Sequence, residues 1–145
     1  VSMKSVAELY EVWCLLEVRQ TLRDLGFKEK ASTKAALITQ GFEKELAGGM
    51  GAAFQLERPD GIRIRLAHEP VFSRTKDPAF GKIYSWTTVQ KPDIFLEASF
   101  PGGESVQWIF DAKYRIAEDS DGRDCAPDDA INQMHRYRDA LIHVN

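Results

Sequence analysis

The sequence predicts an α+β chain in which a helix is followed by two β-hairpins and a closing helix. Three observations carry this reading. An apolar N-terminal stretch opens on a helix-start pattern and stops at a glycine. Two runs of alternating apolar and polar residues each fold back at a Pro/Gly break. A proline followed by two aspartates opens the last periodic stretch.

In the first helix, Ser5 and Glu8 have capping-box spacing, and Gly26 follows Leu25 as a stop. From Leu9 to Leu16 nearly every side is apolar (Tyr10, Val12, Trp13, Cys14, Leu15), which predicts packing on more than one flank. Thr33 to Leu46 reads as a second helix ended by Gly48-Gly49. Phe54 to Arg58, the turn Pro59-Asp60-Gly61 and Ile62 to Leu66 form the first hairpin; Lys82 to Thr88 is a further strand. Ile94 to Phe100, the break Pro101 to Glu104 and Val106 to Tyr114 form the second hairpin. An acidic stretch from Ala117 to Gly122 reads as a mobile solvated loop. A calcium-loop alignment of it lacks the first ligand, because Ala117 falls there. Pro127, Asp128 and Asp129 then start a helix predicted to run to about Val144.

The 145 residues suit a single domain, 1–145, long enough to bury a core. Its opening, Val1-Ser2-Met3, is unlike a natural start, and Leu141 to Asn145 ends inside a helical pattern, so an excerpt of a longer protein is expected. No apolar run approaches the ~20 residues of a membrane span. Two cysteines, Cys14 and Cys125, exclude a disulfide scaffold and fit a reducing cytoplasm. His68, His135 and His143 lack zinc spacing, and neither a phosphate-cradling glycine loop nor a GxSxG elbow is present. The net charge of −3 argues against a protein that coats nucleic acid through excess base. Charge is uneven, however: Arg58, Arg63, Arg65, Arg74, Lys76, Lys82 and Lys91 make the middle basic enough to meet phosphates.

The second hairpin holds the chemistry. Pairing its strands so that partner numbers sum to 204 sets Ile94, Leu96 and Ala98 against Phe110, Trp108 and Val106, with apolar facing apolar, and Phe100 continues the apolar set toward the turn. The same register sets Asp93 opposite Asp111, at a Cβ separation of roughly 4.5–5.5 Å where like charges repel. A hard cation such as Mg²⁺ would relieve that repulsion, and Lys113, two residues on, would add a charge near a bound phosphate. A charged hairpin face that simply meets water is the competing interpretation.

"Pro92-Asp93 … Asp111-Ala112-Lys113" has the form PD…(D/E)xK and resembles the signature of the PD-(D/E)xK nuclease superfamily. The leading helix, the hairpin carrying both halves and the following helix are similar to that fold's α-β-β-β-α order. "Gln133-Met134-His135-Arg136-Tyr137" resembles the QxxxY motif of the RecB-like branch, with Gln133 and Tyr137 on one helical face. "Leu9-Tyr10-Glu11-Val12-Trp13-Cys14", "Phe110-Asp111-Ala112-Lys113-Tyr114" and the stretch from Ile131 to Ala140 together resemble the McrC-like group of restriction endonuclease subunits.

The resemblance implies a restriction-endonuclease-like, α/β sandwich-like core: a central, mostly antiparallel or mixed sheet flanked by helices. It implies a Mg²⁺- or Mn²⁺-dependent DNA endonuclease of a restriction or antiviral defence system, acting on double-stranded DNA. An AAA+ NTPase subunit (McrB-like) and a dimer are the partners it suggests. Asp93 and Asp111 would be metal ligands, the carbonyl of Ala112 a further ligand and Lys113 the catalytic lysine. Gln133 and Tyr137 would support them. A first-helix glutamate would complete the site; with Glu8 used in the capping box, Glu11 is the nominee and Glu17 its rival. The superfamily's strand after the QxxxY helix is expected to be missing, and two cysteines are too few for an iron–sulfur cluster. A catalytically inactive nuclease-fold module that holds DNA or the motor is the alternative.

Overall fold

The computed structural model describes residues 6–30, 54–75, 83–113 and 117–143. The predicted helix over Thr33 to Leu46, and Ser5 of the capping box, lie outside these residues.

Helix α1 spans Val6–Asp24. It ends where Gly26, at φ +90°, donates its N–H to the Arg23 carbonyl (2.9 Å) while Phe27 donates to Leu22 (3.1 Å). That double closure needs a left-handed residue, and glycine adopts it without a Cβ clash. The chain then enters β1 (Lys28–Glu29), where Arg19 of α1 grips Glu29 through two hydrogen bonds of 2.6 and 2.9 Å.

Strands β2 (Phe54–Glu57), β3 (Arg63–His68), β5 (Ile94–Ser99) and β6 (Ser105–Phe110) complete a five-stranded sheet in the order β1-β2-β3-β5-β6. Every described pairing in it is antiparallel, so the mixed option is not realised. Both expected hairpins form, and β5 and β6 pair from Ile94↔Phe110 to Ser99↔Ser105, the register that sums to 204. On one face, Leu15 and Leu22 of α1 bury Phe54, Leu56, Ile64, Leu66, Ile94 and Leu96. On the other, Phe72, Ile83 and Phe95 cluster with Ile109 and Leu141.

Strand β4 (Ile83–Ser85) is shorter than the predicted Lys82 to Thr88. The acidic stretch forms a small hairpin, β7 (Ala117–Glu118) with β8 (Asp124–Cys125). It is ordered by Asp119, whose Oδ1 accepts the N–H groups of Asp121 and Arg123, both at 2.9 Å.

Helix α2 (Asp128–Ala140) stops short of Val144. Leu141–His143 forms β9, paired with β4, and so supplies the strand expected to be missing after the QxxxY helix. Trp86 makes the sharp change possible: its backbone N–H takes the Ala140 carbonyl (3.1 Å) and its indole N–H the Asp139 carbonyl (2.8 Å). Carbonyls at a helix end lack intrahelical donors, and Trp86 provides two.

Two packing expectations fail. Helix α1 buries one stripe, and Leu9 and Trp13 remain exposed, because the sheet covers a single flank. Strand β6 is the sheet's edge, so Val106, Trp108 and Phe110 lie past the buried face rather than within it; Trp108 is 44% exposed.

Candidate functional site

The site gathers at the open end of the β5–β6 pair. Strand β6 ends at Phe110, so Asp111 and Lys113 sit just beyond the ladder, not on the predicted strand running to Tyr114. The cause is visible in Asp93, the residue before β5. Its Oδ2 accepts the Ala112 backbone N–H at 2.7 Å, which puts a side-chain bond where a backbone bond would continue the ladder. The predicted register holds through Ile94↔Phe110, the last pair of the ladder, and Asp93 and Asp111 each lie one residue beyond it. Buried Pro92 fixes the approach to Asp93.

The Asp111 side chain is only 2% exposed, and the Lys113 ammonium pairs with its Oδ2. That oxygen accepts no hydrogen bond in good geometry despite the ion pair. The other oxygen, Oδ1, accepts from Gln133 Nε2 at 3.3 Å. Gln133 Nε2 also donates to the Tyr137 hydroxyl (2.6 Å), which donates to the Lys91 carbonyl (3.1 Å). A continuous chain thus runs from Asp111 through Gln133 and Tyr137 of α2 to Lys91, in the segment that precedes Asp93. Gln133 and Tyr137 can share it because residues four apart on a helix point the same way.

Electrostatics mark the crowding. Burial, then the Asp111 carboxylate, pushes the Asp93 carboxyl up to about 6, with Glu11 adding to the rise while the Ala112 N–H and Lys113 oppose it. Glu11 is likewise raised, by burial first and then by Glu69, with Lys113 pulling the other way and Asp111 adding a smaller push. Burial also raises Tyr137, and Asp111 and Asp93 reinforce that shift against the Gln133 hydrogen bond.

Glu11 therefore stands within the field of Asp93, Asp111 and Lys113. Glu17, the rival, is exposed, and its described bond is a backbone one, with its carbonyl accepting the Thr21 hydroxyl. Glu69 escaped sequence reasoning. It follows β3, holds φ at +45°, donates its N–H to the Asp93 carbonyl (2.8 Å) and pairs with Lys91 at 2.8 Å. A non-glycine residue there carries strain of order 1 kcal/mol. Only the β3–β5 register, with His68↔Ile94 as its last pair, brings Glu69 beside Asp93, and no local motif announces that pairing.

Among the described residues, no three His, Cys, Asp or Glu side chains are already gathered as a cation cluster. The arrangement is instead two carboxylates on adjacent chain segments, a lysine against one of them, and a third carboxylate from α1 within electrostatic reach.

A family model of the PD-(D/E)XK nuclease superfamily matches residues 8–145. No curated protein and no solved structure matches the chain.

Proposed function

The chain belongs to the PD-(D/E)XK nuclease superfamily, and on that premise we propose that it is a Mg²⁺- or Mn²⁺-dependent DNA endonuclease with Asp93, Asp111 and Lys113 at its centre. Members of the superfamily are generally nucleases and typically use divalent metal ions. The helix, antiparallel sheet and helix of this chain agree with the restriction-endonuclease-like fold. The observation that carries the reading is the Asp93–Ala112 bond, which draws the two halves of the signature together beside a buried Asp111.

The donor set suits a hard cation. Asp93, Asp111 and the Ala112 carbonyl offer only oxygen, and the buried Asp111 Oδ2 already meets a cationic group, the Lys113 ammonium. Mg²⁺ commonly takes one or two carboxylates and fills its remaining positions with water and phosphate, so two ligands suffice. When bound, the cation supplies Lewis-acid polarisation of the phosphoryl oxygen and charge stabilisation at the leaving oxygen. Lys113 holds its ammonium beside Asp111, where it can contact a phosphate oxygen or orient the attacking water. Gln133 and Tyr137 act as positioning residues that fix Asp111, and Glu11 adds negative charge within electrostatic reach of Asp111 and Lys113.

The finer reading is a McrC-like subunit of a restriction or antiviral defence system, cytoplasmic, cutting double-stranded DNA with an AAA+ McrB-like partner and able to dimerise. It rests on the motifs around Tyr10, Asp111 and Gln133. No helix among the described residues is long and apolar enough to cross a membrane. Supercoiled plasmid incubated with Mg²⁺ or Mn²⁺, and in parallel with EDTA, tests the proposal. Metal-dependent nicking supports it. DNA binding without cutting, with or without the motor, favours the inactive-module alternative.

A further inference from the structure

Beside the proposed centre lies a cleft of about 470 Å³ whose walls include Asp111, Lys113, Asp124, Pro127, Ile131 and Met134. This volume falls within the roughly 300–1,000 Å³ usual for small-molecule pockets. One end is the chemistry itself, Asp111 and Lys113. Apart from Asp124 the rest is largely apolar: Pro127 caps the start of α2, and Ile131 and Met134, three residues apart, share one face of that helix. Ile131 and Met134 are large, apolar and exposed there, although Ala130, Tyr137 and Ala140 of the same helix are buried.

We propose that this cleft receives the nucleoside joined to the reacting phosphate, so that the preferred substrate is DNA with an unpaired nucleotide beside the scissile bond. The inference rests on the nuclease reading. A phosphate held by Lys113 carries its neighbouring nucleoside one sugar away, within the reach of a cleft that shares Lys113 as a wall. Charge sorts the two parts of that nucleotide. Asp124 and Asp111 repel a second phosphate from the interior, whereas a flat neutral base can cover Ile131 and Met134. A base stacked in a duplex cannot turn into the cleft without a cost of a few kcal/mol, and an unpaired base avoids that cost.

Single-turnover cleavage by the full chain should compare a paired duplex, the same duplex with one unpaired nucleotide, and a third with an abasic residue at that position. Cleavage at phosphates flanking the unpaired nucleotide should be about tenfold faster than at the same phosphates when paired, a factor typical of one stacked base. The abasic residue should lose that advantage. Met134→Trp, which fills the cleft, should bring the ratio near one, and Ile131→Trp should do the same if the first variant folds poorly. A wild-type ratio near one, or a ratio unchanged in a folded tryptophan variant, overturns the proposal. A 2-aminopurine in the unpaired position, titrated with wild type in Ca²⁺, separates the two readings. If nothing is cut, the nuclease reading fails. A saturable fluorescence change that Met134→Trp abolishes still supports the cleft, and no change overturns it.

Discussion

Asp93 reaches past the last pair of the β5–β6 ladder and accepts the backbone N–H of Ala112 at 2.7 Å. This bond has two consequences for the flanking residues. It ends the strand at Phe110, and it holds Asp111 and Lys113 on a short segment beyond the ladder, where Asp111 meets Gln133 of α2. The acceptor and its charge are separable by mutation. Asp93→Ala removes the acceptor and should cost about 1–3 kcal/mol, the penalty for an orphaned backbone donor. Asp93→Asn keeps an acceptor oxygen while removing one of the crowded charges, so it should stabilise the metal-free protein at neutral pH. Urea unfolding in EDTA measures both. Equal losses in the two variants would mean that the retained acceptor does not matter, and an Asp93→Asn variant no more stable than wild type would mean that the repulsion is not felt.

The pH dependence follows from the same carboxyl. Asp93 titrates near 3.8 ordinarily and at about 6 in the fold. Between these values the folded chain keeps a proton that the unfolded chain has released. Stability of the metal-free protein from this group therefore falls as pH rises from about 4 to about 6 and stays low above that. Relative to wild type, Asp93→Asn should gain stability across that window and show little difference at pH 3.5. Since a ligating carboxyl must lose its proton, Mg²⁺ should raise the melting temperature of wild type at pH 7.5 more than at pH 5. A metal-induced shift independent of pH would remove Asp93 from the ligand set.

Gln133 and Tyr137 should matter through Asp111. Gln133→Ala strips Asp111 Oδ1 of its described donor, and Tyr137→Phe cuts the link to the Lys91 carbonyl. Each should destabilise by roughly 1 kcal/mol. Activity should drop about tenfold, the milder end of what losing an outer-shell partner costs a metal site, with weaker metal affinity in Gln133→Ala. Metal titration of the single-turnover rate separates this from a purely structural effect, because excess Mg²⁺ should partly rescue Gln133→Ala.

The chain beyond α2 should be needed for stability. Tyr84 pairs with Ile142, and Trp86 caps the helix end that β9 follows. Truncation after Ala140 should lower the melting temperature by several degrees, read by circular dichroism. An unchanged melting temperature would show β4–β9 to be ornamental.

Much of this was legible in the sequence wherever a local pattern governs. The 204 register followed from alternation together with a turn centred on Gly102: alternation excludes a shift by one residue, which would bring apolar against polar, but only the turn excludes a shift by two. Gly26 ended α1 as glycine does. What was illegible depended on neighbours. Val106, Trp108 and Phe110 read as a buried face, yet β6 is the sheet edge, and edge position is set by strand order. The "LIH" after Ala140 continued a helical pattern until β4 and Trp86 offered it a strand partner and a cap. Glu69 entered the site only through the pairing of two separate hairpins.

The central claim is that Asp111 and Lys113 form a reacting centre, and single-turnover cleavage of plasmid DNA by Lys113→Ala tests it most directly. Lys113 is 27% exposed and pairs with a buried carboxylate, so its removal should also cost roughly 1–3 kcal/mol. Assays should therefore run well below the variant's melting temperature. The account predicts metal-dependent cutting by wild type and a loss of at least about a hundredfold in folded Lys113→Ala, within the usual contribution of a general acid–base group. Folded Lys113→Ala cutting as fast as wild type would contradict it.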